Sequence, residues 1–116
     1  MGKDAKLISG ILSYCDLINE ILSEFDGDEN EFFNRSSFHL SCSFCIEQIG
    51  HSAEQIDPKI REKFSEINWD SLIRIRNGIA HFYDVQDLEI IWDFATKKVQ
   101  KLRKVCERIL YELTKR

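Results

Sequence analysis

Residues 88–113 read LEIIWDFATKKVQKLRKVCERILYEL. Their apolar positions Leu88, Trp92, Ala95, Val99, Leu102, Cys106, Ile109 and Leu113 alternate intervals of four and three, which returns side chains to one face of a 3.6-residue helix. Strand alternation at every second residue is absent. Asp87 is a natural N-cap for this helix, and Lys115-Arg116 suit the negative end of its dipole.

Working back towards the N-terminus, the same periodicity recurs. Leu7, Ile8, Ile11, Leu12, Cys15, Ile18, Leu22 and Phe25 form a stripe that predicts a helix from about Asp4 to Phe25, stopped by the turn residues Asp26-Gly27-Asp28. A second stripe, Phe38, Cys42, Cys45, Ile49, Ala53 and Ile56, predicts a helix beginning near Glu29 and ended by Asp57, because Pro58 disfavours helical geometry in the residue before it. Residues 59–66 read as a short polar connector. Asn68 can cap a third major helix whose apolar side is Trp69, Leu72, Ile73, Ile79 and Ala80, with Arg76 among them. Gly78 inside that pattern hints at close approach of another backbone, or of the same helix from a second subunit. Four long helices with short links predict an all-α fold, an up-and-down four-helix bundle with a short connecting helix, as a single domain over residues 1–116.

Composition agrees. A chain of 116 residues, 43% hydrophobic, buries one core, and five glycines with one proline are few for an all-β fold. No apolar run is long enough to span a bilayer, and Met1 to Lys6 lack the apolar centre of a signal peptide, so the expected location is cytoplasmic, away from membranes. Cys15, Cys42, Cys45 and Cys106 all fall on apolar stripes, which suits reduced, buried thiols. His39, Cys42 and Cys45 imitate a metal spacing, but a zinc site needs four ligands, and the expectation is no metal. The net charge of -4 is unevenly spread: seven acids and no base between Asp16 and Glu31, then eight bases against Glu107 and Glu112 between Lys97 and Arg116. That distribution allows one end of the sequence to face nucleic acid, or leaves two solvated helix faces.

The stretch most loaded with chemistry is Arg76-Asn77-Gly78-Ile79-Ala80-His81-Phe82-Tyr83. A permanent cation that forks onto phosphate oxygens stands beside an imidazole that titrates near neutral pH, a pairing suited to a phosphodiester. On one regular helix Arg76 and Tyr83 lie within about 20° of one face, whereas His81 is displaced from Arg76 by about 140°. Either the helix ends or bends after Gly78, or a second copy of the chain completes the site across a two-fold axis.

Arg76, His81 and Tyr83 resemble the RxxxxHxY motif of HepT toxins, members of the HEPN superfamily of small helical ribonucleases. The flanks Ile46-Glu47-Gln48-Ile49-Gly50, Ile67-Asn68-Trp69-Asp70 and Ile90-Ile91-Trp92-Asp93-Phe94 are similar to HepT helices in the same order, so the resemblance covers nearly the whole chain. It implies an HEPN-like bundle and the toxin of a toxin-antitoxin system: a homodimeric, metal-independent endoribonuclease without a cofactor. In that reading a ribose 2'-hydroxyl attacks the adjacent phosphate of RNA. Arg76 would stabilise the transition state, His81 would act as general base or acid, and Asn77 would orient the phosphate or the histidine. The resemblance also implies that an MntA-like nucleotidyltransferase antitoxin transfers AMP to Tyr83. His51 departs from the family pattern, which more often has an acid there; here the acid comes later, at Glu54, which leaves the contribution of this helix open. His51 is either a further phosphate contact or a solvated surface residue.

Two other classes compete. One is a non-catalytic HEPN module, a nucleotide- or RNA-binding regulatory subunit of a nucleotidyltransferase, which the acidic net charge favours and the intact Arg76, His81 and Tyr83 oppose. The other is a helical dimerisation domain whose last helix pairs as a coiled coil, for which Ala95 and Cys106 are weak seam residues.

Overall fold

The computed structural model describes residues 2–79 and 85–115, with the side chains of 77–79 and 85–87 outside that description. The described residues form helices and no strand: α1 (Lys3–Glu24), α2 (Glu29–Asn34), α3 (Ser36–Gln55), α4 (Pro58–Lys63), α5 (Trp69–Ile79), α6 (Val85–Asp93) and, after a π-helical turn at Phe94–Lys98, α7 (Val99–Thr114). The bundle measures 47 × 26 × 21 Å, long along the helices. Helix α3 is central: α1 packs on one side of it and α5 on another, while α7 packs against α1 and α6 lies near α2 and α3.

Helix α1 ends where the sequence places a turn. Asp26 and Gly27 take positive φ values of 53° and 68°, and the Gly27 amide returns to the Leu22 carbonyl at 2.9 Å, closing the last turn in the left-handed manner of a C-terminal cap. Its buried face is Ile8, Ile11, Cys15, Ile18, Ile21 and Phe25.

The expected second helix is two helices. Asp28 caps α2 by accepting from the amides of Asn30 and Glu31, and Arg35 then turns to extended geometry (φ -116°, ψ 107°) before α3 begins. The apolar stripe proper starts at Phe38; upstream of it Phe32 and Phe33 are adjacent and so cannot share a helical face. The break turns α2 so that fully buried Phe32 meets Phe25 at 6.4 Å and Trp92 at 4.9 Å.

At the other end of α3, Ile56 is extended and Asp57 caps α4 through the Lys59 amide at 2.9 Å, with Pro58 in the first helical position where its missing N–H costs nothing. The connector is less polar in effect than its composition, because Phe64 and Ile67 are buried.

The last helix also differs from its expected outline. It starts at Val85, so Asp87 lies in the first turn and does not cap it. Its core face is Ile91, Phe94, Ala95, Val99, Leu102, Val105, Cys106 and Ile109, whereas Leu113 is 39% exposed. The π turn is the reason for the shifted register: an i→i+5 turn inserts one extra residue per turn, which lets Ile91 and Phe94 join a stripe that a regular helix would centre on Trp92. Thr96 accompanies it, its hydroxyl donating to the Trp92 carbonyl at 2.7 Å.

The charged runs do not separate to two ends. Helices α1 and α7 lie side by side, with Arg103 donating to Asp16 at 2.7 Å and to Glu107 at 2.5 Å. Lys97 and Lys98 pair with Asp93, Lys115 with Glu112, and Arg108 with Glu66 of the connector, whose carboxyl the guanidinium holds below its usual range. Much of the C-terminal basic run is therefore balanced within the bundle.

Candidate functional site

Arg76 is placed by the way α5 is anchored. Asn68 accepts from the Ser71 amide at 3.0 Å and caps the helix, as its sequence position predicts. Trp69 is buried and its indole N–H donates to the Phe64 carbonyl at 3.0 Å, so both the start and the rotation of α5 are set. Leu72 lies three residues on and Arg76 four further, which keeps all three on the side of α5 that meets α3.

Gly50 makes that meeting close. A Cβ at this position would stand 2.3 Å from the Arg76 Cβ and 2.8 Å from the Leu72 carbonyl oxygen, separations that real side chains do not adopt. The stem of Arg76 therefore crosses α3 where it has no side chain, and the guanidinium emerges one turn further along. There Arg76 Nη1 stands 3.7 Å from a Glu54 carboxylate oxygen, and Nη2 stands 3.5 Å from Nδ1 of His51. The Gln55 amide stands 2.9 Å from the other ring nitrogen of His51. The Arg76 side chain is 32% exposed, so its stem is covered while its charge remains within reach of solvent and of an anion.

The sequence left the contribution of α3 open because an acid was missing next to Gly50. In the structure Glu54, one turn later, brings a carboxylate oxygen to 3.7 Å from Arg76, and His51 reaches the same guanidinium. Gln55 was not anticipated; its signal was its spacing of four from His51, which places both on one helical face. Close approach of a second backbone occurs at Gly50; the same expectation for Gly78 falls outside the described residues. Asn77 belongs to α5, and its side chain lies outside the described residues. His81 and Tyr83 also lie outside them.

Cys42 and Cys45 belong to the core, and burial pushes their thiols up to about 12 and about 11. His39 packs edge-on to Phe32, and burial lowers its imidazole below the ordinary value. Thiols held protonated are poor metal ligands. Among the described residues no helix is long and apolar enough to cross a membrane.

A helical bundle whose central helix carries a glycine under an arginine-bearing neighbour is consistent with one class: an all-α fold of HEPN type. A sequence model described as "Ribonuclease HepT-like" matches residues 11–109, and the chain belongs to this HepT-like family. It is 30% identical over 103 residues to the candidate RNase MJ0125 of Methanocaldococcus jannaschii, covering 89% of this chain and 87% of that protein. From the same organism, the candidate RNase MJ1216 is 27% identical over 89% of this chain and 84% of its own length. A third relative there, named as a gamma-glutamylcyclotransferase and candidate RNase, is 29% identical over 99% of this chain, which spans 51% of that longer protein. No solved structure matches the chain.

Proposed function

We propose that this chain is the toxin of a toxin-antitoxin pair, a metal-independent endoribonuclease whose site is completed at a homodimer interface. Family membership supports the ribonuclease reading, as do the names of the relatives. The observation that carries it is the placement of Arg76: a guanidinium seated over Gly50, half-covered, and offered to solvent five residues before His81.

In this reading Arg76 binds the scissile phosphate and stabilises the charge that builds on its oxygens, with two N–H donors reaching two oxygens at once. His81 removes the proton from the 2'-hydroxyl or supplies one to the leaving 5'-oxygen, leaving a cyclic phosphate. Asn77 orients the phosphate or the imidazole. Tyr83 takes AMP from ATP through a nucleotidyltransferase antitoxin, its phenolic oxygen bonding to the α-phosphorus as pyrophosphate leaves and its proton passes to solvent, and the added negative charge neutralises Arg76 and blocks RNA. The paired cations of α7 favour a site confined to this cleft over a broad basic face.

Purified protein should cleave RNA with EDTA present, and Arg76→Ala and His81→Ala should each abolish cleavage. Undiminished cleavage in His81→Ala sinks its assignment. Co-expression with a neighbouring nucleotidyltransferase should add adenylate mass that maps to Tyr83; an unmodified mass with tight nucleotide binding and no cleavage would support the regulatory module.

A further inference from the structure

The contact between Arg76 and His51 fixes more than a distance. A guanidinium carries donors alone, so the Nδ1 that faces it must be the acceptor. Neutral imidazole then bears its proton on Nε2, the nitrogen that stands 2.9 Å from the Gln55 amide. Amide oxygen and nitrogen are interchangeable in position; turning the Gln55 oxygen to the ring gives up a contact of 3.5 Å from its nitrogen to the His51 carbonyl, at the limit of hydrogen bonding, for a bond of 2.9 Å from the ring N–H. One chain of bonds results: Arg76 donates to His51, and His51 donates to Gln55.

Such a chain has a direction, and it decides the role of His51. Its single proton is committed to Gln55, on the edge of the ring turned away from Arg76, so the ring is poorly placed to shuttle protons beside a phosphate held by that arginine. What it offers is a fixed lone pair. Glu54 adds a carboxylate 3.7 Å from the other terminal nitrogen of the guanidinium. Two acceptors on one helix face, three residues apart, stand 3.5 and 3.7 Å from two terminal nitrogens of one planar group. A planar group held at both terminal nitrogens loses rotation about its long stem, and ordering done in the fold does not have to be done in the transition state.

We propose that His51 is a positioning residue for Arg76: a neutral imidazole, held by Gln55, that fixes the guanidinium plane for phosphate, with Glu54 as the second hold. The catalytic consequence rests on the ribonuclease reading above; the positioning itself does not. Both His51 and Glu54 are exposed, so their replacement leaves the core intact.

Two measurements on the full chain separate these levels. In NMR spectra of side-chain nitrogens, the terminal Arg76 nitrogens should give resolved signals from slowed rotation in the wild type. They should stay resolved in His51→Asn, whose side-chain oxygen replaces Nδ1 as acceptor, and average in His51→Ala. Averaged signals in the wild type, or resolved ones in His51→Ala, overturn the proposal whether or not the protein cleaves RNA. In RNA cleavage, His51→Ala should lower kcat about tenfold with KM changed less than about twofold, and His51→Asn should restore kcat to within about threefold. An equal loss in both variants would show a proton-transfer role and overturn the assignment. No cleavage by any form, with the NMR pattern as expected, would sink the ribonuclease reading and leave the positioning standing.

Discussion

Gly50 of α3 and Arg76 of α5 share one point of contact, backbone against stem, with an added Cβ on the glycine reaching 3.0 Å from the Arg76 Cγ and closer still to its Cβ. The flexible stem could give way, but the Leu72 carbonyl oxygen at 2.8 Å is helix backbone and cannot move by itself. A methyl group here therefore moves α5 as a body.

Gly50→Ala should destabilise the fold by about 1–3 kcal/mol, the usual cost of overpacking, and lower the melting temperature by roughly 5–15 °C for a domain of this size. Cleavage should fall further than the folded fraction does, because the displaced helix carries Arg76. Calorimetry and an RNA assay at a temperature where the variant is fully folded separate the two effects. An unchanged melting temperature would show that the helices are not in contact at Gly50.

Trp69 sets the start of the helix that carries Arg76. Trp69→Phe keeps an aromatic ring but deletes the indole donor to the Phe64 carbonyl and leaves a void, with an expected loss of about 1–3 kcal/mol in urea unfolding. Trp92→Phe, at a partly buried site of similar size, is the control and should cost less. A reversed order would mean that the Trp69 hydrogen bond contributes little.

The sequence made the helices legible and left their breaks obscure, for a physical reason. Stripe periodicity reports which face is buried, so the cores of α1, α3 and α7 were plain from Ile8 to Ile109. The break at Arg35 and the π turn at Phe94–Lys98 depend on partners far away in sequence, chiefly the meeting of Phe32 with Trp92. Asn68 is legible as a cap because a cap is local chemistry, whereas Asp28 and Asp57, which read as a turn residue and a helix end, prove to cap α2 and α4. At the site, Arg76 was legible as a candidate. Its partners Glu54 and His51 come from another helix, 22 and 25 residues earlier, and no local pattern connects them.

The four thiols make the fold sensitive to alkali. Burial pushes Cys15 and Cys42 up from the ordinary 9.0 to about 12 and Cys45 to about 11, and it pushes Cys106 up as well. A raised value in the folded state means that the unfolded chain releases these protons first. Stability from the neutral thiols is thus complete below pH 9 and declines as pH climbs towards 12. Urea midpoints should fall between pH 9 and pH 11, and the slope should be shallower in Cys106→Ala once its own lower starting stability is subtracted. Thiol reagents should find no reactive cysteine in the folded protein at pH 8. Rapid labelling of one or more cysteines there would contradict their burial.

Pairing within the bundle also bears on how RNA is held. Arg103 and Arg108 are held at hydrogen-bond distance by Asp16, Glu107 and Glu66, bonds that must break before either cation neutralises a phosphate and releases its condensed counterions, whereas Arg76 meets Glu54 at 3.7 Å. Arg103→Gln and Arg108→Gln should therefore leave the affinity for an uncleavable 2'-O-methyl RNA within about twofold and its salt dependence unchanged. Arg76→Gln should weaken binding and reduce the slope of log affinity against log salt by about 1, the signature of one lost phosphate contact. The contrast tests location independently of turnover. Should the α7 variants reduce the slope and Arg76→Gln leave it intact, the RNA would lie along the C-terminal helix and the cleft beside Gly50 would not be its binding site.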